Sequence, residues 1–508
     1  MKSPNSLLSV AALGILAASP AHAQDNEMTE LKEMVKAMQQ TIADQNARIA
    51  TLEKQAEAKA AAPAEGPDKV DLPRNKGRSR TAGASQDEVA DTPPPARIEM
   101  PAAAPPMPVR RSNVRDADTF ADLQQAAPRA NNAPLDPELK GFIPIPGTDT
   151  MFKIGGSARL DTIFDFGDNG NPNQFVPSTI PVDGQVGEGG GERSTIHGKG
   201  TRLSLEVRRP VAYDDTLRVY NEYDFFDDST SSTMKMRVRH FYGQAWNFLI
   251  GQTFSAFMDV DAFPDVVDYQ GPNGIINRRQ PQIRYTHPIF DEDTKFQVFA
   301  SLEQPESQID TSTAFFQPDA SPVESFVDGV VGFRWEGDLG HLQGSTIFRD
   351  LSYETHDGPS DDTLGWGVSL SGSVNVFDKD KISAQVTYGE GIGRYVNDLG
   401  GNDMDAAIDN SGDLEAIPVF AAMAGYTHHW NDCWRSTIAG GYVHSDPSDS
   451  LGGYAIDSTL YASANIMFHP TKSFRMGLEY LYGEKETTDG SDGDAHRLDF
   501  VIRYDLVK

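Results

Sequence analysis

Cysteine is almost missing: Cys433 is the only one in 508 residues. That excludes an intramolecular disulfide and any cysteine-built metal cluster. Long apolar runs are missing too. Beyond the extreme N-terminus no uninterrupted hydrophobic stretch reaches the ~20 residues a membrane-spanning helix needs, so a helical membrane protein is excluded. Positive charge is scarce, with 44 Lys and Arg against 74 Asp and Glu and a formal net charge of -30. So acidic a chain repels nucleic acid, although the figure says nothing about what a shielded interior binds. Hydrophobic residues reach only 38%. A polar soluble protein has such a value, and so does a transmembrane barrel, because only every second side chain of a membrane strand faces lipid.

The length calls for more than one structural unit. Residues 1–23 read as a secretory signal peptide. Lys2 starts it, Leu7 to Ala18 forms a short apolar core, and Ala21-His22-Ala23 is a small-x-small cleavage site before Gln24. No cysteine follows the site, which leaves no lipoprotein anchor. Residues 27–57 carry a heptad pattern expected to form a periplasmic coiled coil. Val35, Ile42 and Ile49 fall at a, with Leu31, Met38, Gln45 and Leu52 at d. β-branched a with Leu at d leans towards a dimer; a solitary amphipathic helix is the alternative for so short a pattern. Residues 58–140 are rich in Ala and Pro (Pro93-Pro94-Pro95, Pro105-Pro106) with scattered Arg78, Arg80, Arg110 and Arg111. This composition predicts an extended or disordered spacer, with cell-wall contact through its basic residues as a further partner.

From residue 141 to 508 the texture is that of an all-β chain. Segments of roughly ten to fifteen residues alternate apolar with polar and are broken by Asp, Asn, Gly, Ser and Pro. At the end, Leu498, Phe500, Ile502, Tyr504 and Leu506 alternate with Arg497, Asp499, Val501, Arg503 and Asp505. Phe474, Met476, Leu478, Tyr480 and Tyr482 keep the same period, as do Leu203, Leu205 and Val207. Aromatic residues gather at strand ends (Phe152, Phe164, Phe166, Trp246, Phe248, Trp430, Trp434, Phe468, Phe474), as membrane interfaces favour. Tight turns such as Trp246-Asn247 and Asn431-Asp432 take turns with long polar connections. We therefore expect an all-β transmembrane barrel of about sixteen antiparallel strands in the bacterial outer membrane. The strands should begin near Phe152, Thr201, Leu217, Lys235, Phe248, Arg279, Thr294, Val327, Leu342, Leu364, Lys381, Val419, Trp434, Thr459, Phe474 and His496.

In such a pore, chemistry is a charge pattern along a constriction. The polar phase of the first six strands places Lys153, Arg159, Arg202, Arg208, Arg218, Lys235, Arg237, Arg239, Arg278 and Arg284 towards the lumen. The pore-lining cations singled out are Arg202, Arg218, Arg237, Arg239, Arg278 and Arg284. Arginine keeps its charge and offers a planar fork to carboxylates, so the ladder points to small anionic solutes. The alternative is that these arginines pair with Glu206, Glu222, Asp161 and Asp224 and stiffen the wall. The long segment Asp259–Asn277, with Asp259, Asp261, Asp265 and Asp268, reads as a constriction loop folded inward against the basic wall, or as an ordinary external loop.

Three runs resemble DcaP-like porins. They are Gly141-Phe142-Ile143-Pro144-Ile145-Pro146-Gly147-Thr148 leading into Lys153-Ile154-Gly155-Gly156, then Gly251-Gln252-Thr253-Phe254-Ser255-Ala256-Phe257-Met258-Asp259 with Phe263-Pro264-Asp265 and Gly271-Pro272, and Arg278-Arg279-Gln280-Pro281-Gln282-Ile283-Arg284-Tyr285. The resemblance implies a homotrimeric sixteen-strand diffusion channel in outer-membrane lipid that favours small anions, notably dicarboxylates. It would make Asp259–Gly271 the inward loop and Arg284 a lumen cation. The C-terminus departs from the pattern, ending Tyr504-Asp505-Leu506-Val507-Lys508 where many such barrels stop on Phe.

Other readings fare worse. His428, His429, His240, His444 and His469 could serve as bases, but no Gly-x-Ser-x-Gly elbow accompanies them, so no enzyme and no cofactor is expected. His428 and His429 point to opposite faces of a strand and cannot share a metal. Asp168-Asn169-Gly170-Asn171 and Asp489-Gly490-Ser491-Asp492-Gly493-Asp494 lack the closing Glu of a calcium loop and read as solvated turns. A plugged structural or adhesive barrel would show the same strands.

Overall fold

The computed structural model describes residues 141–506, except 214, 227–230, 232, 290–294, 312–319, 357–359, 378, 410, 448–450 and 472. The signal-peptide, heptad and linker readings lie outside the described residues. No helix among the described residues is long and apolar enough to cross a membrane.

The chain forms a closed antiparallel barrel of 16 strands. They are β1 (Met151–Asp165), β2 (Arg193–His197 continued by Arg202–Val211), β3 (Asp215–Asp224), β4 (Arg237–Ala245), β5 (Phe248–Phe254), β6 (Arg279–Pro288), β7 (Lys295–Glu303) and β8 (Asp328–Gly337). β9 (Gly340–Glu354), β10 (Asp361–Val376), β11 (Asp380–Glu390), β12 (Pro418–His429), β13 (Trp434–Ser445), β14 (Ile456–Thr471), β15 (Phe474–Thr487) and β16 (Asp492–Asp505) complete it. Each strand pairs with the next. The last pairs with the first from Ser157↔Asp505 to Asp165↔Arg497, so no edge is left open. Every strand expected from the alternation is present, starting within a few residues of the expected position.

The burial pattern is inside-out. Side chains facing outward are apolar and exposed, among them Leu370 (54%), Ile438 (60%) and Leu478 (42%). Their strand neighbours facing inward are polar and buried, among them Ser369, Ser371, Thr437 and Glu479. A soluble sandwich would reverse this, so the outer surface is built to meet lipid. Aromatic residues ring both ends of the apolar band. Tyr213, Trp246, Trp335, Phe377, Trp430, Trp434 and Tyr504 mark the rim of tight turns; Phe166, Phe348, Tyr388, Phe420, Tyr442 and Tyr480 mark the other. From Phe420 to Trp430, at about 3.3 Å per residue and a tilt of ~45°, the band is ~23 Å tall, close to the ~25 Å of an outer-membrane barrel.

Two glycines of the family-like runs allow tight backbone crossings. Gly156 (φ +134°) brings β1 so close to β2 that a Cβ would lie 2.2 Å from the Arg202 carbonyl oxygen. At Gly251 (φ +127°) a Cβ would lie 2.3 Å from the Phe241 carbonyl oxygen. The β4–β5 hairpin turns on Trp246 (φ 50°) and Asn247 (φ 68°), the paired positive angles that a two-residue hairpin requires.

Candidate functional site

Three of the long connections do not stay outside. The segments around 169–182, 255–277 and 391–409 fold into the barrel and are almost entirely buried. They interlock. Phe175 N donates to Asp268 Oδ2 (3.1 Å), Ser178 Oγ to the Asp398 carbonyl (2.7 Å), and Asn277 N to the Tyr395 carbonyl (3.0 Å). Phe175, Phe257, Met258, Phe263, Val266, Ile276, Tyr395, Val396 and Leu399 form part of one apolar cluster inside the barrel. Asp168–Asn171 is thus not the solvated turn expected. Asn169 and Asn171 are 1% and 0% exposed, because the apolar residues that follow, from Phe175 to Val182, draw the segment into the lumen.

The segment after β5 carries the four aspartates. Asp259 accepts from Arg334 Nη1 (2.9 Å) and Ser371 Oγ (2.8 Å), and pairs with His341 Nε2 (2.8 Å). Burial pushes its carboxyl up, yet His341 and Arg334 hold it well below the usual carboxylate range. Asp261 accepts from Arg334 Nη2 (2.6 Å), Asp265 pairs with Arg435, and Asp268 lies 3.6 Å from Arg497 Nη1. Each carboxylate of the loop therefore meets a guanidinium on β8, β13 or β16. The sequence reading set these acids against the arginines of the first six strands. In the structure the aspartates are neutralised elsewhere, and it is Tyr269 of the same loop that reaches the arginine face, its hydroxyl accepting from Arg202 Nη2 (3.3 Å) and Arg239 Nη1 (3.2 Å) and donating to Asp224 Oδ2 (2.8 Å).

Glycine and small residues let the loop lie close against β12. A Cβ on Gly274 would lie 2.1 Å from the Ala422 carbonyl oxygen of β12, and one on Gly425 would lie 2.5 Å from Pro264 Cβ. The backbone N–H groups of Val267 and Asp268 both donate to Glu479 Oε2 on β15 (2.8 and 2.7 Å). The inner face of β10–β13 supplies Ser369, Ser371, Ser373, Gln385, Thr387, Thr427 and Thr437, all buried.

On β2–β6 the inward face is arginine-rich. Glu206 accepts from Arg208 Nε (2.7 Å) and Arg218 Nε (2.9 Å). Glu222 accepts from Arg239 Nε (2.6 Å) and lies 3.7 Å from Arg202 Nη1. Asp224 takes Arg237 Nη2 (2.6 Å) and Arg239 Nη1 (3.1 Å). Each of these carboxylates is shared between two guanidiniums, so cations outnumber anions along this wall. Arg239 and His240 are both buried because a bulge between Glu222 and Tyr223 shifts the register. Arg284 donates to Gln282 Oε1 (2.9 Å) and to the Phe254 carbonyl (2.5 Å), at the foot of the inward loop. Arg278 sits apart, before β6 at the long-loop rim, donating to Glu306 (2.7 Å).

The sequence reading did not single out Arg334, His341, Arg349 or Arg394, which sit where the loops meet the wall. Arg334 and Arg349 share the inward phase of their strands with Gln343, a signal present in the alternation of β8 and β9. Arg394 carries none, because the 391–417 connection reads as an outer loop.

This barrel, with polar lumen, apolar outer band and inward loops, belongs to the outer-membrane channel class. The profile of the family described as DcaP outer membrane protein matches residues 140–506, and the chain belongs to that family. Among solved structures, the outer membrane channel DcaP of Acinetobacter baumannii is similar at 24% identity and a TM-score of 0.61, covering 72% of this chain and 99% of that one. An anion-selective porin from Comamonas acidovorans (11% identity, TM-score 0.46, 70% of this chain and 100% of that one) is a more distant likeness. So is OmpT, an outer membrane protein of Vibrio cholerae (13% identity, TM-score 0.43, 71% and 99%). No curated protein sequence matches.

Proposed function

We propose that this outer-membrane porin passes small hydrophilic anions, dicarboxylates among them, along the arginine face of β2–β6. The observation that carries the reading is the sharing of Glu206, Glu222 and Asp224 between pairs of arginines, with Arg284 making no carboxylate bond among the described residues. One carboxylate offsets one guanidinium, which leaves the face positive and raises the local anion concentration. A homotrimer is part of the same proposal. β5 has 7 residues against 16 in β10, too few to cross the apolar band, so this side calls for cover by a neighbouring protomer. The same proposal assigns the N-terminal arm to the periplasm.

One observation favours a second reading. The interlocked loops share an apolar core inside the barrel, as a plug does. Planar-bilayer conductance separates the two. Under the porin reading, the reversal potential across a salt gradient shows anion preference. Arg218→Gln and Arg237→Gln each remove a cation while leaving Glu206 with Arg208 and Asp224 with Arg239. Each should lower the anion-to-cation permeability ratio by roughly two- to fivefold, a change of about 1 kcal/mol or less. Absent conductance, or cation preference in the unmodified protein, defeats the reading.

A further inference from the structure

The long-loop rim above β6–β9 holds a second group of arginines, separate from the face on β2–β6. Arg278 precedes β6, Arg349 lies on β9, and Arg394 comes from the 391–417 connection. The side chains of Arg349 and Arg394 are 0% and 1% exposed. Burial, and Arg278 beside it, push the Arg394 guanidinium below its ordinary value, the sign of cations crowded together. Asp328 and Asp405 answer part of this charge: Arg349 Nε lies 3.2 Å from Asp328 and its Nη1 3.0 Å from Asp405, while Arg394 Nη1 lies 3.4 Å from Asp328.

The remaining anion is Glu306, and it is held differently. Its Oε2 accepts from Arg278 Nη2 (2.7 Å) and Arg394 Nη2 (3.1 Å). Partial burial pushes its carboxyl up, but the two guanidiniums hold it below the usual range. Its side chain is nevertheless 45% exposed, against 1% for Asp328 and 0% for Asp405. Its backbone is fixed separately, because Arg349 Nη2 donates to the Glu306 carbonyl (2.7 Å). The carboxylate can therefore swing out of the clamp while the main chain stays in place.

We propose that Arg278 and Arg394 form a carboxylate-binding subsite at the long-loop mouth, with the Glu306 side chain as its displaceable resident. An arriving carboxylate takes the place of Glu306 between the two guanidiniums and leaves when Glu306 returns. An intramolecular carboxylate is present at an effective concentration of roughly millimolar or above, so exchange is transient, as suits an entry point rather than a trap. The subsite names a capture step for the anion passage proposed above and rests on that reading for its purpose, though its binding chemistry can be measured without transport.

The test is calorimetric titration of succinate into the full-length protein in detergent. Glu306→Gln empties the clamp of its competing charge and should tighten succinate binding about tenfold, the scale of one charge-assisted hydrogen bond. Glu324→Gln removes the same charge from an exposed residue of the same rim, whose Oε1 meets Ser307 N at 3.4 Å and belongs to no guanidinium pair shown at the clamp. It should shift binding less than twofold. Arg278→Gln should weaken binding several-fold in the Glu306→Gln background. Equal effects of Glu306→Gln and Glu324→Gln, or no succinate binding by the Glu306→Gln variant, overturn the subsite. The anion-passage reading stands or falls separately, on reversal potential.

Discussion

The two sides of this barrel line the same interior with different chemistry. Along β2–β6 the inward positions are long and charged, and guanidiniums share too few carboxylates. Along β10–β13 they are mostly small and neutral, Lys381 and Arg435 excepted, and the inward loops rest chiefly against this side and its continuation into β14 and β15. The arrangement follows from desolvation. A purely apolar loop laid over Arg208 or Arg218 would strip water from guanidiniums that share one carboxylate, at a cost of several kcal/mol per ion. Laid over Ser371, Thr437 or Asn465, it meets hydroxyls and amides that hydrogen-bond its backbone, as Asn465 Nδ2 does with the Asp265 carbonyl (2.9 Å). Where loop and cations do meet, the loop brings its own partners: aspartates at Arg334, Arg435 and Arg497, the Val267 carbonyl at Arg159 (2.8 Å), and the Tyr269 hydroxyl at Arg202 and Arg239 (3.3 and 3.2 Å). The distribution of side chains on the wall thus decides where the loops dock, and with that which face is left for solute.

The sharpest way to break the contrast is to deny the loop its seat. Gly274 has no room for a side chain, since a Cβ would meet the Ala422 backbone nitrogen at 3.0 Å as well as its carbonyl oxygen at 2.1 Å, and neither backbone can yield alone. Gly274→Val should lift residues 255–277 from β12, at a cost of several kcal/mol, typical of forced overpacking in a tight contact. Unit conductance in a planar bilayer should rise severalfold. Folded barrels with unchanged conductance would mean that the loop does not limit the path.

A smaller effect is expected where the two chemistries meet. Asp259→Ala strands Arg334 (3% exposed) with Asp261 and Glu336 as its remaining carboxylates, and also deprives His341 and Ser371 of their acceptor. Breaking a buried charge cluster in this way costs about 3 kcal/mol, somewhat less where other partners remain. The readout is the temperature at which the folded form is lost on heated gels. The same unfolding temperature for Asp259→Ala and unmodified protein would show that the clamp is not structural.

The wall was far more legible in sequence than its contents. Alternation repeats over every strand, because lipid outside and polar lumen inside impose the same period of two all round. Leu498 through Leu506 therefore announced β16 without any tertiary information. The loops carry no such period. Asp259–Asn277 mixes aspartates with Pro264, Gly271 and Gly274, a composition equally at home in water. What separates the alternatives is glycine on strands elsewhere in the chain, such as Gly425 and Gly477 opposite Pro264 and Val267, visible only once the barrel is closed. The arginines were legible as residues facing in, but not as pairs sharing a carboxylate, since sharing depends on the registers of β2, β3 and β4. The bulge that brings both Arg239 and His240 inward left no trace in the pattern either.

The neutral side can be probed more finely at Ser371. Its hydroxyl donates to Asp259 Oδ2 (2.8 Å) from the middle of β10, one of the bonds that seat the loop on the small-residue wall. Ser371→Ala removes that donor and leaves Asp259 with Arg334 and His341, so the cost should be only about 1 kcal/mol. No charge changes and no arginine of β2–β6 is touched, so the reversal potential should stay at the unmodified value while the unfolding temperature drops slightly. Arg218→Gln should do the opposite, shifting the reversal potential more than the stability, because Glu206 keeps Arg208. If Ser371→Ala moves the reversal potential as far as Arg218→Gln does, solute passes along both sides, and the division of the lumen into a docking wall and a passage wall is wrong.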